Sequence, residues 1–384
     1  MRSVIKLLQL LGFWTQPYQK RSSAKPLAFT TLYIGWLLFP GIIYIFRQQP
    51  SFAVITRTAV ESMSIANIIM LIVSTIFHQP VLGKAYGDVR FALAAVSDSL
   101  DRELQRTIDH LELSTDRFFK GYIGFQMAVG LIYCSSNPIQ TIVKYVRSEE
   151  LPPLHGILEA DFYIFDYTSN FWLWLLVVGV GGLSLLSIVV VIVSINSLHW
   201  SLIHHIAGLF KIIRRRLSNL NAFSKEKSCQ QELVDIIELH EVVYRSARSL
   251  EQALNVYMLM QFGTCIVMLC LTLMVLVLAN DDRDLLIKMI LMLSYILSHI
   301  LVYSMLGSEL MSASASVADA VHEVSWYQWP VGEQRKLLFV LSRSQRITAL
   351  TTGKFFYLNR ETFGMTLRTT MSYFTVLMQM YGAK

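Results

Sequence analysis

Apolar residues gather into seven stretches, near 27–46, 57–77, 118–136, 171–195, 256–279, 285–306 and 362–381. A hydrocarbon core about 30 Å thick is crossed by about 20 helical residues. Each stretch is therefore predicted to be a transmembrane helix, the seventh on the weakest pattern. Between the fourth and fifth, Leu233, Ile236, Ile237, His240, Val243, Tyr244, Ala247 and Leu250 recur at helical spacing. No proline or glycine interrupts Glu232 to Met260, so these two spans are predicted to continue beyond the membrane. Residues 309–350 behave similarly on either side of Pro330 and Gly332. Such apolar stripes outside the bilayer need a surface to bury against, which predicts an intracellular helical assembly domain.

Charge orients the spans. Cytoplasmic segments retain Lys and Arg, and alternate connecting segments hold 23 against 6 of them. The N-terminus is predicted inside and the C-terminus outside, opposite to a G-protein-coupled receptor. Residues Met1 to Trp14 are predicted to form an amphipathic helix on the inner leaflet rather than a signal peptide.

The chain is 54% hydrophobic and only 16% charged, which excludes an ordinary soluble domain and a disordered one. Its net charge of +6 is spread over several segments mixed with acids, a pattern that fits membrane lipid headgroups and not nucleic acid. Arg214, Arg215 and Arg216 are the densest such group. The four cysteines form no disulfide framework.

No phosphate-binding, nucleophile-elbow or zinc-protease motif occurs, so neither an enzyme nor a cofactor is expected. His204 and His205 are adjacent and point about 100° apart on a helix, which disfavours a metal site. Asp281, Asp282 and Asp284 crowd a short outer turn; they are either plainly solvated or a ring that concentrates cations. The outer segment 137–170 carries five acids against two bases, and it is long enough to form a lid.

In the seventh span, Thr369, Ser372, Val376 and Gln379 form a narrow, mostly polar stripe. Phe363, Leu367, Met371, Phe374, Leu377 or Met378, and Tyr381 form the opposite apolar face. A hydroxyl and amide stripe within a bilayer either packs on other helices or faces water, and Arg368 favours water. One stripe per chain bounds a pore only if several chains surround an axis, which points to an oligomeric channel.

A second set gathers in the outer halves of four spans: Met63, Ser64 and Asn67; Met127, Gly130, Tyr133 and Cys134; Phe171, Trp172 and Leu175; Met289, Met292, Leu293 and Ile296. Such a cluster is either plain core or an adaptable apolar ligand pocket with a gap at Gly130.

The sequence resembles the insect odorant receptors. The resemblance rests on Leu11-Gly12-Phe13-Trp14, Leu239-His240, Gln261-Phe262, Gly307-Ser308-Glu309, Trp326-Tyr327 and the ending Ser372-Tyr373-Phe374-Thr375-Val376-Leu377. It covers the whole chain and is most specific in the last 75 or so residues. It implies a tetrameric, odorant-gated, non-selective cation channel of all-α fold, with cytoplasmic helices as an anchor domain and the last span lining the pore. Val376 then matches the hydrophobic gate, and Gln379 and Met380 the narrow segment beside it. The segment 198–254 lacks the long insertion of the shared co-receptor, Orco, so the resemblance implies a ligand-tuned subunit that assembles with Orco in the plasma membrane of an olfactory neuron's dendrite.

The expected layout is one channel subunit over 1–384: a cytoplasmic amphipathic segment at 1–26, four spans with the ligand pocket at 27–197, anchor helices at 198–254, the fifth and sixth spans at 255–306, an anchor and re-entry segment at 307–360, and the pore-lining span at 361–384. A gustatory receptor shares this architecture, but its ending differs from Ser-Tyr-Phe-Thr. A secondary transporter needs broken helices or buried ion-binding acids near midplane, and the spans offer only Glu61 near an end.

Overall fold

The computed structural model describes residues 2–14, 24–48, 51–97, 102–148, 154–162, 166–222, 226–278 and 283–382. Asp281 and Asp282 of the acidic turn lie outside these residues, as do the side chains of Cys229 and Tyr381.

Long helices dominate. The first is α1 (Arg2–Leu11), followed by α2 (Ala24–Tyr33) and α3 (Phe39–Gln48), which a five-residue π-helical segment, Ile34–Leu38, joins into one rod. Pro40 accounts for that segment. Proline has no N–H and its ring crowds the preceding turn, and the wider π turn, with Phe39 N–H on the Ile34 carbonyl, absorbs the mismatch. Next come α4 (Phe52–Ser97) and α5 (Arg102–Ser148), each continuous through an internal proline, Pro80 and Pro138. The chain continues through α6 (Phe171–Ser218), α7 (Glu226–Leu278), α8 (Arg283–Glu323), α9 (Val331–Ser344) and α10 (Arg360–Gly382).

Five of these rods, Ala24–Gln48, α4, α6, the Gln230–Leu278 part of α7, and α8, are long and apolar enough to cross a membrane. At most half of each one's most apolar window is buried within the chain, so the remaining apolar surface points outward. That is the pattern of a chain whose surroundings are lipid or further subunits. The other two expected spans, 118–136 and 362–381, lie within α5 and α10, which are helical but less apolar.

At the centre stands α6. Every residue from Val191 to Phe210 is buried except His204, which is half-buried. It packs most extensively on α8 and α5, while α4 and α7 form the other large pairing and α10 lies against α7 and α8. The apolar face of α1, with Leu8 fully buried, packs on α6. The apolar stripe expected of this segment is therefore taken up, at least in part, by a neighbouring protein surface.

Polar groups thread the core where α6, α7 and α8 meet. His299 lies between Asn196 (2.9 Å) and Gln261 (3.3 Å), Tyr303 donates to the Asn196 amide oxygen at 2.9 Å, and Tyr257 donates to Gln261 at 3.1 Å. Buried polar groups are costly unless paired, and this mutual pairing fixes the register of three helices.

As the sequence suggested, the chain breaks near Pro330: a short turn at Trp326–Gln328 precedes α9. A two-stranded hairpin follows, β1 (Thr351–Thr352) against β2 (Phe356–Tyr357). Its turn needs two successive positive φ angles, at Gly353 (60°) and Lys354 (65°). Gly353 N–H bonds the Asn255 carbonyl of α7 at 2.9 Å, which seats the hairpin before α10 begins.

Candidate functional site

An apolar cavity of about 120 Å³ lies between α4, α5, α6 and α8. Cavities near 150 Å³ with apolar walls hold a benzene-sized molecule, so this one suits a single ring or a short chain. Ile65 and Ile68 of α4, Leu185, Ile188, Val189, Ile192 and Val193 of α6, and Leu291, Met292 and Tyr295 of α8 supply most of the wall. From α5 come Gln126, Val129, Gly130, Tyr133 and Cys134. At Gly130 an added Cβ would stand 3.0 Å from Val189 Cγ2. The missing side chain therefore both admits α6 and leaves the space.

Leu158 closes one side of the cavity. It belongs to the loop 154–162, which tucks into the bundle through Asp161 N–H on the Pro40 carbonyl (3.0 Å) and an Arg47–Asp161 ion pair (3.2 Å). A charged cluster anchors the same loop. Arg57 Nε bonds Glu61 Oε1 at 2.9 Å and approaches Glu159 Oε1 at 3.6 Å, while Lys288, fully buried, donates to the Ile157 carbonyl at 2.9 Å. Tyr133 donates its hydroxyl to Glu61 Oε1, and the Lys288 ammonium lies 5.4 Å from the Tyr133 ring centre. Two cations and two carboxylates compensate one another, which buried charges require. Glu61 itself lines the cavity.

Of the residues expected to bind ligand, Gly130, Tyr133, Cys134 and Met292 line this cavity, as does Ser64. The others do not. Asn67 donates instead to Thr264 Oγ1 of α7 at 2.7 Å. Met289 is buried in a separate small cluster with Val275 and Leu285, and Ile296 is in the main core. Met63 and Leu293 pack against that core, and Met127 is half-buried outside the cavity wall. Phe171 stacks on Tyr145 at 4.7 Å, Trp172 is 74% exposed, and Leu175 is exposed too. All three sit at the start of α6, beyond the cavity's reach. Helical spacing finds the right face of α5. On α4 and α8 the wall is formed by Glu61, Ser64, Ile65 and Ile68 and by Leu291, Met292 and Tyr295, so Met63, Asn67 and Leu293 stand at the right height on a neighbouring face. On α6 the lining begins at Leu185, about 15 Å along the axis from Leu175.

The residues expected in a pore lie together on α10. Ser372, Val376, Gln379 and Met380 are exposed and Thr369 is half-buried. Val376 is 52% and Met380 66% exposed, high for apolar side chains on a helix that packs against two others. On the opposite, apolar face, Met371 is exposed and not packed on the bundle. Thr362, Thr366 and Thr370 are buried in its place, Thr366 returning its hydroxyl to the Thr362 carbonyl at 2.8 Å. Small residues spaced by four let α10 lie close to α7, and their self-bonded hydroxyls tolerate burial.

The GlySerGlu run after the sixth apolar stretch acquires a physical role. Ser308 Oγ accepts the Arg360 N–H at 2.8 Å at the start of α10. Glu309 reaches α6, bonding His204 Nδ1 at 3.0 Å and Lys211 at 2.6 Å. Burial raises the Glu309 pKa, but these two partners outweigh it and hold the carboxyl at about 2. Among the described residues no group of His, Cys, Asp and Glu could hold a metal ion.

Long lipid-suited helices around an apolar cavity are the architecture of a multi-pass membrane protein. The sequence profile of the 7tm Odorant receptor family matches residues 51–371, and the chain belongs to that family. Odorant receptor 2a of Drosophila melanogaster is 28% identical over 39% of this chain and 38% of its own length. Odorant receptor 9a of the same species is 22% identical over 64% of this chain and 62% of its own. The aligned segments thus span less than two thirds of these curated relatives. The fold is that of the insect olfactory receptor OR5 from Machilis hrabei: its structure in complex with eugenol superposes with a TM-score of 0.80 at 16% identity, covering 99% of this chain and 97% of that one. A second OR5 structure superposes at 0.74.

Proposed function

We propose that this chain is the ligand-tuned subunit of an odorant-gated, non-selective cation channel, assembled with Orco as a heterotetramer in the plasma membrane of an olfactory neuron's dendrite. The chain has seven spans in this reading, including α5 and α10, with its N-terminus inside and its C-terminus outside. A volatile molecule occupies the cavity between α4, α5, α6 and α8, and α10 lines the pore with its counterparts from the other subunits. The observation that carries the reading is the apolar cavity between four helices of a chain of the odorant receptor family.

Energetics fit a sensor rather than a tight binder. At about 0.8 kcal/mol per buried CH₂, a six-carbon volatile gains roughly 5 kcal/mol before costs, so burial alone gives affinities no tighter than roughly 0.2 mM. The Lys and Arg asymmetry supports the orientation. The exposed Val376 face of α10 supports a pore shared between chains, since a lone helix leaves it uncovered.

The test is expression with and without Orco, recording currents across a panel of volatiles. Currents are expected only from the pair. Robust odorant gating by the chain alone in a null background overturns the division of labour, and an extracellular N-terminal epitope on intact cells overturns the topology.

A further inference from the structure

We infer that the cavity selects volatiles bearing a hydrogen-bond donor, a hydroxyl above all, because Glu61 holds a buried carboxylate oxygen with no partner at its wall. The inference deepens the proposed ligand site and rests on that reading.

Glu61 is 3% exposed and lines the cavity. Its Oε1 atom is fully engaged by Arg57 Nε and the Tyr133 hydroxyl, whereas Oε2 is buried and has no hydrogen-bond partner. An ionised carboxylate only accepts hydrogen bonds. Leaving one of its oxygens dry and unpaired is costly, and the remaining cavity wall is almost wholly apolar. A ligand hydroxyl toward which the Glu61 carboxylate turns Oε2 therefore gains a strong, charge-assisted bond while its hydrocarbon part meets Ile65, Ile68, Val189 and Ile192. Ser64 stands nearly one turn along on the same face of α4 and also lines the cavity. Its hydroxyl can donate to the ligand oxygen, so an alcohol or phenol satisfies both groups. An ether offers no donor, and a hydrocarbon offers neither donor nor acceptor. A site built around a hydrogen-bonding group rejects analogues lacking its complement far more strongly than it rejects a change of one methylene.

The Glu61→Gln variant sharpens the inference. Both donors at the Oε1 position, from Arg57 and Tyr133, require an acceptor, so the amide oxygen is held there and the NH₂ group takes the Oε2 position. The cavity then presents a donor where it presented an acceptor, and the preference should pass to ethers, ketones and esters.

The experiment records currents from the chain paired with Orco, normalised to the current evoked by a direct Orco agonist, which counts assembled channels. Matched probes are phenol, anisole and toluene; benzyl alcohol, benzyl methyl ether and ethylbenzene; hexanol and methyl pentyl ether. Hydroxyl members should act at concentrations about tenfold or more below their ethers and hydrocarbons, and Glu61→Gln should erase or reverse that ratio. The parent channel alone decides the question if the variant fails to assemble. Equal potency within a matched set, or silence of every hydroxyl member, overturns the inference. Gly130→Leu separates this from failure of the site itself. If filling the cavity changes tuning but hydroxyl and ether remain equivalent, the cavity stands and donor recognition falls. If neither the substitution nor the probe chemistry alters tuning, the cavity is not the ligand site.

Discussion

Gly307 of α8 lies so close beneath Leu358 that a side-chain carbon on the glycine would overlap the Leu358 carbonyl oxygen. The contact sits where the chain turns from the hairpin into α10, beside the Ser308 bond to Arg360 N–H. Backbone cannot yield as a flexible side chain can, so Gly307→Ala should force α10 away from α8. A cost of about 1–3 kcal/mol is expected for such overpacking. Thermal unfolding of the detergent-purified protein should show the drop, and Ser308→Ala should show a smaller one. Stability equal to the parent for Gly307→Ala would mean the two elements separate freely.

Much of the scaffold could be read from the sequence because helical periodicity is local. The stripe from Leu233 to Leu250 lies within the unbroken helix α7, and the interruption at Pro330 separates α8 from α9. Pro80 and Pro138 stay inside α4 and α5, because packing on neighbours outweighs one lost hydrogen bond. The charged cluster was not legible. Arg57 reads as a loop charge and Glu61 as a stray acid near a span end, and their partners Glu159 and Lys288 are remote in the chain. Only the fold of the loop 154–162 brings them together. The cavity was half legible for a related reason: in all-apolar spans periodicity does not say which face of α4 or α8 meets the gap, nor the height along α6 at which the neighbours leave it.

Glu309 should make stability depend on pH at the acid end. Its carboxyl is held at about 2, below the unfolded value of about 4.3. A depressed acid contributes fully above its unfolded pKa, and that contribution is lost as pH falls from there through about 2. Glu309→Gln should therefore remove about 1–2 kcal/mol at neutral pH, discounted for a side chain still 25% exposed. The difference between variant and parent should shrink on acidification. A difference that stays constant between neutrality and the acid end would show that the loss comes from packing.

Cavity occupancy and the outer aromatic group should separate under mutation. Gly130→Trp pushes a large ring into the space beside Val189 and should abolish or shift odorant responses by at least about tenfold in potency, since a six-carbon ligand's whole gain is only roughly 5 kcal/mol. Trp172→Ala, at a site 74% exposed and beyond the cavity, should leave the tuning order unchanged. Dose–response curves for the same volatiles on both variants provide the check. Retuning by Trp172→Ala with none from Gly130→Trp would move the ligand site to the outer end of α6.

The final helix carries the sharpest expectation about permeation. Val376 and Gln379 lie on the exposed side of α10, away from the buried Thr362, Thr366 and Thr370 that hold it to the bundle. If counterparts from several chains close around one axis, an apolar ring at Val376 gates by excluding water, and opening must rotate or displace the helix to wet it. Val376→Ser should then raise the resting current. Substituting Gln379 with Glu should alter permeability ratios among monovalent and divalent cations, because the change adds a charge where the path is narrow. Neither variant should alter which odorants act, since the cavity lies between other helices. In the proposed mixed tetramer only some subunits carry the change, so both effects should be partial. Whole-cell recordings with ion substitution, at matched surface expression, decide the matter: resting current and selectivity identical to the parent in both variants would remove α10 from the conduction path.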